Sequence, residues 1–264
     1  MAIQVESMEF LSTSDCPDFL WKAEKRLKEE IERVQSYLDA SSEAKITSVV
    51  EQEVLGEHMK TLLEMENSGI VKLLTDDKYS DLSRMYSLLR RIETGLKLMC
   101  TMMQDHLKTT GKNLVTDVER QKDPVDFVQK LLDMKDKFAE IISSSFSNDK
   151  YFQNTLNQAF EYFINLNTRS PEFISLFVDD KLRKGMKGMP EEDIEKVFDK
   201  VMILFRYLQE KDVFEKYYKG HLAKRLLSGR TVRCSLHALT FPYSCQAYQV
   251  LVVLCSFLKT QNVA

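Results

Sequence analysis

Four histidines and five cysteines are the residues of this 264-residue chain best suited to hold a metal or act as a nucleophile. His58, His106, His221 and His237 have Leu55, Met103, Tyr218 and Cys234 three positions earlier. Helical di-metal sites instead place a glutamate there, so that both ligands project from one face. Cys234, His237, Cys245 and Cys255 offer the thiolates and imidazole of a structural zinc site. Their spacing fits no zinc knuckle, and buried cysteine commonly packs as a small hydrophobe. They read as packing residues, with a zinc-holding helical bundle or a bundle enzyme as the alternative. The eight glycines form neither G-x-G-x-x-G nor G-x-x-x-x-G-K-[ST], which removes the phosphate-cradling loops. No serine or cysteine stands in a nucleophile motif. The expectation is therefore no catalytic residue, no metal ligand and no cofactor.

Two features bear on partners. Lys181, Arg183, Lys184 and Lys187 follow Asp179 and Asp180, a basic group that complements a helix C-terminus or grips an acidic partner, the dipole reading being the simpler. The chain also holds twelve methionines. Methionine fills irregular helix interfaces more often than it lines a binding groove, so these are assigned to the core.

These residues must be positioned by helices. Gly and Pro are few, at eight and five, while 44% of the residues are hydrophobic, enough to bury a core. The net charge of -3 lacks the basic excess that nucleic acid binders carry, so nucleic acid is not an expected partner. An odd number of scattered cysteines points to a reducing compartment, cytoplasmic or nuclear. The sequence MAIQVESMEF has no basic segment followed by an apolar one, so no secretory signal is expected there. The longest apolar run, 250–258, falls well short of the roughly 20 residues that cross a bilayer, so no membrane span is expected.

Residues 191–227 are the most strongly patterned stretch. Ile194, Val197, Phe198, Val201, Leu204, Phe205 and Leu208 recur every three or four positions, as on one face of a helix. Polar residues 209–212 interrupt them. The stripe resumes as Val213, Phe214, Tyr217, Tyr218, Leu222 and Leu226, with Asp212 the expected N-cap, His221, Lys224 and Arg225 suiting the C-terminal dipole, and Gly229 closing the helix. Upstream, a helix is expected over 17–38 with the stripe Leu20, Trp21, Leu27, Ile31, Val34 and Leu38, broken at Ser41, Ser42 and Glu43. A second begins at Ile46 and runs past Gly56 to Leu63. A one-turn piece at 70–74 precedes one long helix over 79–108, stopped by Gly111, and a polar linker over 116–123. Helices over 124–145, 149–165 and 171–184 follow, opened by Asp or Pro. The class is all-α, and antiparallel long and short helices suit an elongated stalk or bundle array.

The run RYLQEKDVFEKYYKGHLAKRLLSG, with FEYFINLNTRSPEFISLFVDDKLRKG before it, resembles the cullin family, the scaffolds of modular RING-type ubiquitin ligases. The likeness spans about 5–232 and is greatest to a plant-like form of the paralogue that recruits BTB-domain adaptors. It implies a stalk of five-helix cullin repeats: 1–115 similar to the second repeat, 116–188 to the third, 189–229 the helical start of the C-terminal domain, and 230–264 a divergent tail. It also implies a non-catalytic scaffold whose partners are components of the ubiquitin ligase machinery. On the same likeness the chain lacks the repeat that docks adaptors, the α/β domain that holds the RING-box subunit, and the I-V-R-x-M-K type segment that accepts a ubiquitin-like modifier. No family functional residue is carried over. A truncated and functionally impaired scaffold is therefore expected, with a transcript fragment without function as an alternative.

Overall fold

The computed structural model describes residues 2–37, 39–185 and 191–228. Twelve α-helices occupy them: α1 (Ala2–Thr13), α2 (Cys16–Tyr37), α3 (Ala40–Glu51), α4 (Met59–Glu64), α5 (Ile70–Thr75), α6 (Tyr79–Leu89), α7 (Gly95–Thr116), α8 (Pro124–Ser145), α9 (Lys150–Ile164), α10 (Ser170–Asp180), α11 (Glu191–Tyr207) and α12 (Lys211–Ser228). No strand occurs among the described residues. The chain divides into two compact units, Met1–Thr109 with Asp136–Ala159, and Thr110–Lys135 with Phe160–Ala264.

The core of the first unit is set by spacing. In α2 the residues Cys16, Phe19, Leu20, Ala23, Leu27 and Val34 are buried. Trp21, expected on that stripe, is 53% exposed, and Lys25 lies over its ring at 5.8 Å. The helix is rotated to bury the 16, 19, 20, 23, 27 face, and a ring beside it covers aliphatic surface while staying wet. Elsewhere Tyr86, Phe146 and Phe152 form an aromatic triangle with centroids 4.4 to 5.8 Å apart. The Tyr86 hydroxyl donates to Asp149 Oδ2 at 2.9 Å, which supplies the partner a buried phenol needs. Met85, Met99 and Met103 are buried here, although Met8 is 60% exposed.

Three helix boundaries correct the expectations in this unit. Ser41, Ser42 and Glu43 do not break a helix but lie in the first turn of α3, with Glu43 at the positive end of the helix dipole; among the described residues between α2 and α3 the non-helical one is Asp39. The helix expected to run past Gly56 instead widens into a π-helical turn, Gln52–Gly56, with Glu57 N–H donating to the Gln52 carbonyl at 3.1 Å. That turn buries Val54 and Leu55, and α4 starts afresh at Met59. The single helix expected over 79–108 is two, α6 and α7. After Leu89 the chain tightens into i to i−3 bonds, Arg91 N–H to Leu88 and Ile92 N–H to Leu89, and Gly95 passes against the Leu89 carbonyl. A Cβ at Gly95 would lie 2.3 Å from that oxygen, so only glycine permits the approach. Gly111, expected to stop the helix, is inside α7.

Gly111 belongs to the second unit, where it faces the Phe163 ring. An added Cβ would meet that ring at 2.2 Å, so the glycine is a seat for α9. In the same unit Phe127, Phe160, Phe163, Phe173, Phe177 and Phe205 are all at most 1% exposed. In α11 and α12 the expected stripe buries Phe198, Val201, Leu204, Phe205, Leu208, Phe214 and Tyr218. The interruption between them lies at 208–210, and Asp212 sits in the first turn of α12 and not before it. The side chain of Asn165, at the end of α9, holds this bend: its Nδ2 donates to the Tyr207 carbonyl at 2.8 Å and its Oδ1 accepts the Gln209 N–H at 3.0 Å. The helix expected to Lys184 continues past Asp180 as a π-helical turn, Lys181–Gly185. Gly229 and the segment 230–264 lie outside the described residues.

Candidate functional site

Cys16 is buried in α2, and burial, reinforced by Asp15 and Asp81, pushes its thiol up to about 12. Burial likewise pushes Cys100 up to about 11, with Thr155 opposing and Asp149 adding to the effect. Both stay protonated near neutral pH, and the thiol is a poor nucleophile. Cys234, His237, Cys245 and Cys255, the zinc alternative, lie outside the described residues. Among the described residues no three His, Cys, Asp or Glu side chains converge on a point where a metal would sit. His106 is half-buried against Phe138, with ring centroids 6.2 Å apart. Burial, with the nearby Lys137 ammonium, lowers its pKa below the usual 6.5.

The nearest approach to a nucleophile and base is Ser7, whose Oγ is 3.0 Å from His58 Nε2. Ser7 is 1% exposed, so no substrate carbonyl can reach that oxygen, and the pair ties α1 to the turn before α4. In the first unit a groove of about 480 Å³ runs between α7 and α9, lined by Glu93, Lys97, Cys100, Gln104, Tyr151 and Gln158 among others. Its two glutamines bond to each other at 3.2 Å, and its one thiol is the protonated Cys100. It offers a surface for contact, without a general base poised on a nucleophile. No helix among the described residues is long and apolar enough to cross a membrane.

The basic group at the end of α10 is organised differently from a solvated cluster. Asp179 is 5% exposed and sits in the last turn of α10, where a carboxylate opposes the helix dipole. Two arginines compensate it. Arg225 Nη1 of α12 donates to Asp179 Oδ1 at 2.5 Å, and Arg183 Nη1 donates to Asp179 Oδ2 at 3.4 Å. Lys181 lies over the Phe177 ring at 4.9 Å. Arg225, expected as a cation at the helix end, is thus 1% exposed and enclosed. The sequence signal was Asp179 with Asp180 at the end of an apolar run, but the partner of Asp179 is 46 positions away. The outward side of α12 carries Tyr217 and Leu227, 42% and 90% exposed, with open space beyond Gly220.

The described residues form a helical array with an enclosed charge group, and comparison with known proteins gives its family. The family model of the cullin alpha solenoid domain matches residues 3–235. Cullin-3B of Arabidopsis thaliana is 66% identical over 229 residues, 87% of this chain and 31% of that protein. Cullin-3 of Dictyostelium discoideum is 51% identical over 229 residues, 87% of this chain and 30% of that protein. Cullin-4A of Mus musculus is 38% identical over 227 residues, 86% of this chain and 29% of that protein. Identity is thus higher to the third cullin paralogue than to the fourth, while the chain spans about 31% of the length of the first of these relatives. With the match covering nearly all the described helices, the chain belongs to the cullin family, as an α-solenoid segment of the cullin-3 kind.

Proposed function

We propose that this chain serves as a non-catalytic scaffold segment in cullin-RING ubiquitin ligases of the BTB-adaptor type, and that its partners are components of that machinery. The observation that carries this reading is 66% identity to Cullin-3B over 229 residues, 87% of this chain. In this reading 1–115 acts as a second cullin repeat, 116–188 as most of a third, and 189–229 as the start of the C-terminal domain, in a protein that works in the cytoplasm or nucleus. The segment spaces and orients what binds on either side, and ubiquitin transfer is left to the conjugating enzyme. Such a role needs helices that keep one arrangement, which the seated glycines Gly95 and Gly111 and the Asn165 clamp support.

The test is a chimera. The 229 aligned residues replace their counterpart in the Arabidopsis relative, and substrate ubiquitination is measured with its own adaptor and RING-box subunit. Retained transfer is expected, since the segment supplies geometry and no reacting group. A folded chimera that binds both subunits yet transfers nothing would overturn the scaffold reading. The isolated chain, mixed with activating enzyme, conjugating enzyme and RING-box subunit, should transfer no ubiquitin. Transfer in that mixture would overturn the non-catalytic part.

A further inference from the structure

The groove between α7 and α9 in the first unit has a direction and a protruding rim. The Cys100 thiol is hydrogen bonded to Thr155, and Gln104 to Gln158 at 3.2 Å, so the two helices run parallel along it. Tyr151, one turn before Thr155, therefore stands level with Leu96 and Lys97, which line the same end. Tyr151 is 74% exposed, and it leaves open a hole of about 480 Å³ at whose edge it stands. It is a knob beside a socket.

The charges at that end are also unspent. Glu93 and Lys97 both line the groove, four positions apart, about 6 Å along a helix axis. Opposite charges so spaced commonly pair on a helix, yet among the described residues neither is held by an ion pair or hydrogen bond. We propose that this end of the groove is the contact of a two-fold symmetric dimer, in which the groove of each copy of the chain receives Tyr151 of the other. A two-fold axis crossing α7 at the level of Gly95, midway between positions 93 and 97, sets the two α7 helices antiparallel. Glu93 of each copy then faces Lys97 of the other, so that two ion pairs form for one axis. The same rotation carries Tyr151, level with Leu96, onto Leu96 of the second copy. The surface is complementary to itself in charge and in shape, which is the condition of an isologous contact. A partner of one charge sign would set one of the two groups against its like. Tyrosine is among the residues that anchor interfaces, with the charges at its rim fixing orientation. The contact is small, which places the dimer in the weak, exchanging class. The inference is independent of any assignment of the chain to a ligase.

The test is sedimentation velocity of the full chain across the micromolar range. The parent should show a sedimentation coefficient that rises with concentration and falls back in high salt. Glu93→Lys or Lys97→Glu replaces both attractions of the dimer by repulsions and should weaken it about tenfold or more. The double variant restores both pairs with their signs exchanged and should return to within about threefold of the parent. A mixture of the two single variants should also dimerise, because lysines at 93 and 97 of one copy meet glutamates at 97 and 93 of the other. Tyr151→Ser should weaken the dimer about tenfold or more, while Tyr151→Phe keeps it. Should one single variant fail to fold, the double variant and Tyr151→Ser carry the test. A parent that stays monomeric throughout would overturn the proposal. So would a dimer indifferent to Tyr151→Ser, or one that the charge exchange fails to restore.

Discussion

Among the arginine–carboxylate contacts that join helices in the described residues, one from each unit makes a pair that differs chiefly in access to water. In the first unit Arg84 of α6 meets Glu24 of α2, Nε to Oε2, at 3.1 Å, with side chains 30% and 35% exposed. In the second, Arg225 of α12 meets Asp179 of α10 at 2.5 Å, with side chains 0% and 8% exposed. Burial pushes the Glu24 carboxyl up, but hydrogen bonds and charge from Lys28 and Arg84 more than offset it, and its pKa ends below the usual value. Glu24 thus behaves as a solvated acid with cations nearby. Asp179 has little water to fall back on, and its arginines do the solvating. The pairs teach that the same chemical contact is nearly optional at the surface and obligatory inside, because removing one member returns the other to water in the first case only.

The comparison is broken most severely by placing a carboxylate inside without any arginine. Phe214 is 3% exposed and packed on Phe205 and Tyr218, so Phe214→Asp both opens a cavity and buries an unpaired charge. A loss on the order of 5 kcal/mol or more is expected, enough to unfold a marginal domain, and denaturant titration would show it. Next in size is Arg225→Ala, which leaves the buried Asp179 with only the longer contact to Arg183 and should cost about 3 kcal/mol by the same measurement. Arg84→Ala should cost no more than about 1 kcal/mol, and Lys216→Asp, at an exposed position of α12, should stay within about 0.5 kcal/mol. Equal losses for Arg84→Ala and Arg225→Ala would show that water access does not separate the two pairs.

The smallest effect sharpens the comparison with a group that has no ion-pair partner to rescue it. Burial and Lys137 lower the folded pKa of His106, so in the window below 6.5 the unfolded chain binds the proton more readily than the folded one. The first unit should therefore be most stable above about pH 6.5 and lose stability as pH falls through that value towards the folded pKa. His106→Gln should flatten this slope, and an NMR titration should place the His106 midpoint below 6.5. A midpoint above it would reverse the sign.

Local pattern decided the class of the molecule and most of its helices. The 3.6-residue recurrence of apolar residues survives in 124–145, found as Pro124–Ser145, and in the stripe before the bend near Gln209, whereas of the stripe after it Phe214 and Tyr218 are buried and Tyr217 is exposed. The runs that resemble cullins were legible for the same reason, since they are contiguous. What failed were inferences that needed a second segment. Gly111 looked like a stop and is a seat for Phe163, and Gly95 looked like one more helical residue and is the place where the chain passes the Leu89 carbonyl. Trp21 satisfied the period but lay just off the buried arc.

The amino-acid sequence by itself determined that this is an all-α chain of the cullin kind, because helical periodicity and motif identity are properties of neighbouring residues. It did not reveal that Arg225 and Asp179 are partners, that Asn165 clamps the bend after Tyr207, or that Tyr86 answers Asp149. Each of those contacts joins residues 42 to 63 positions apart. A polar side chain's role depends on whether water or another side chain receives its hydrogen bond, and that is settled only when distant helices close over it.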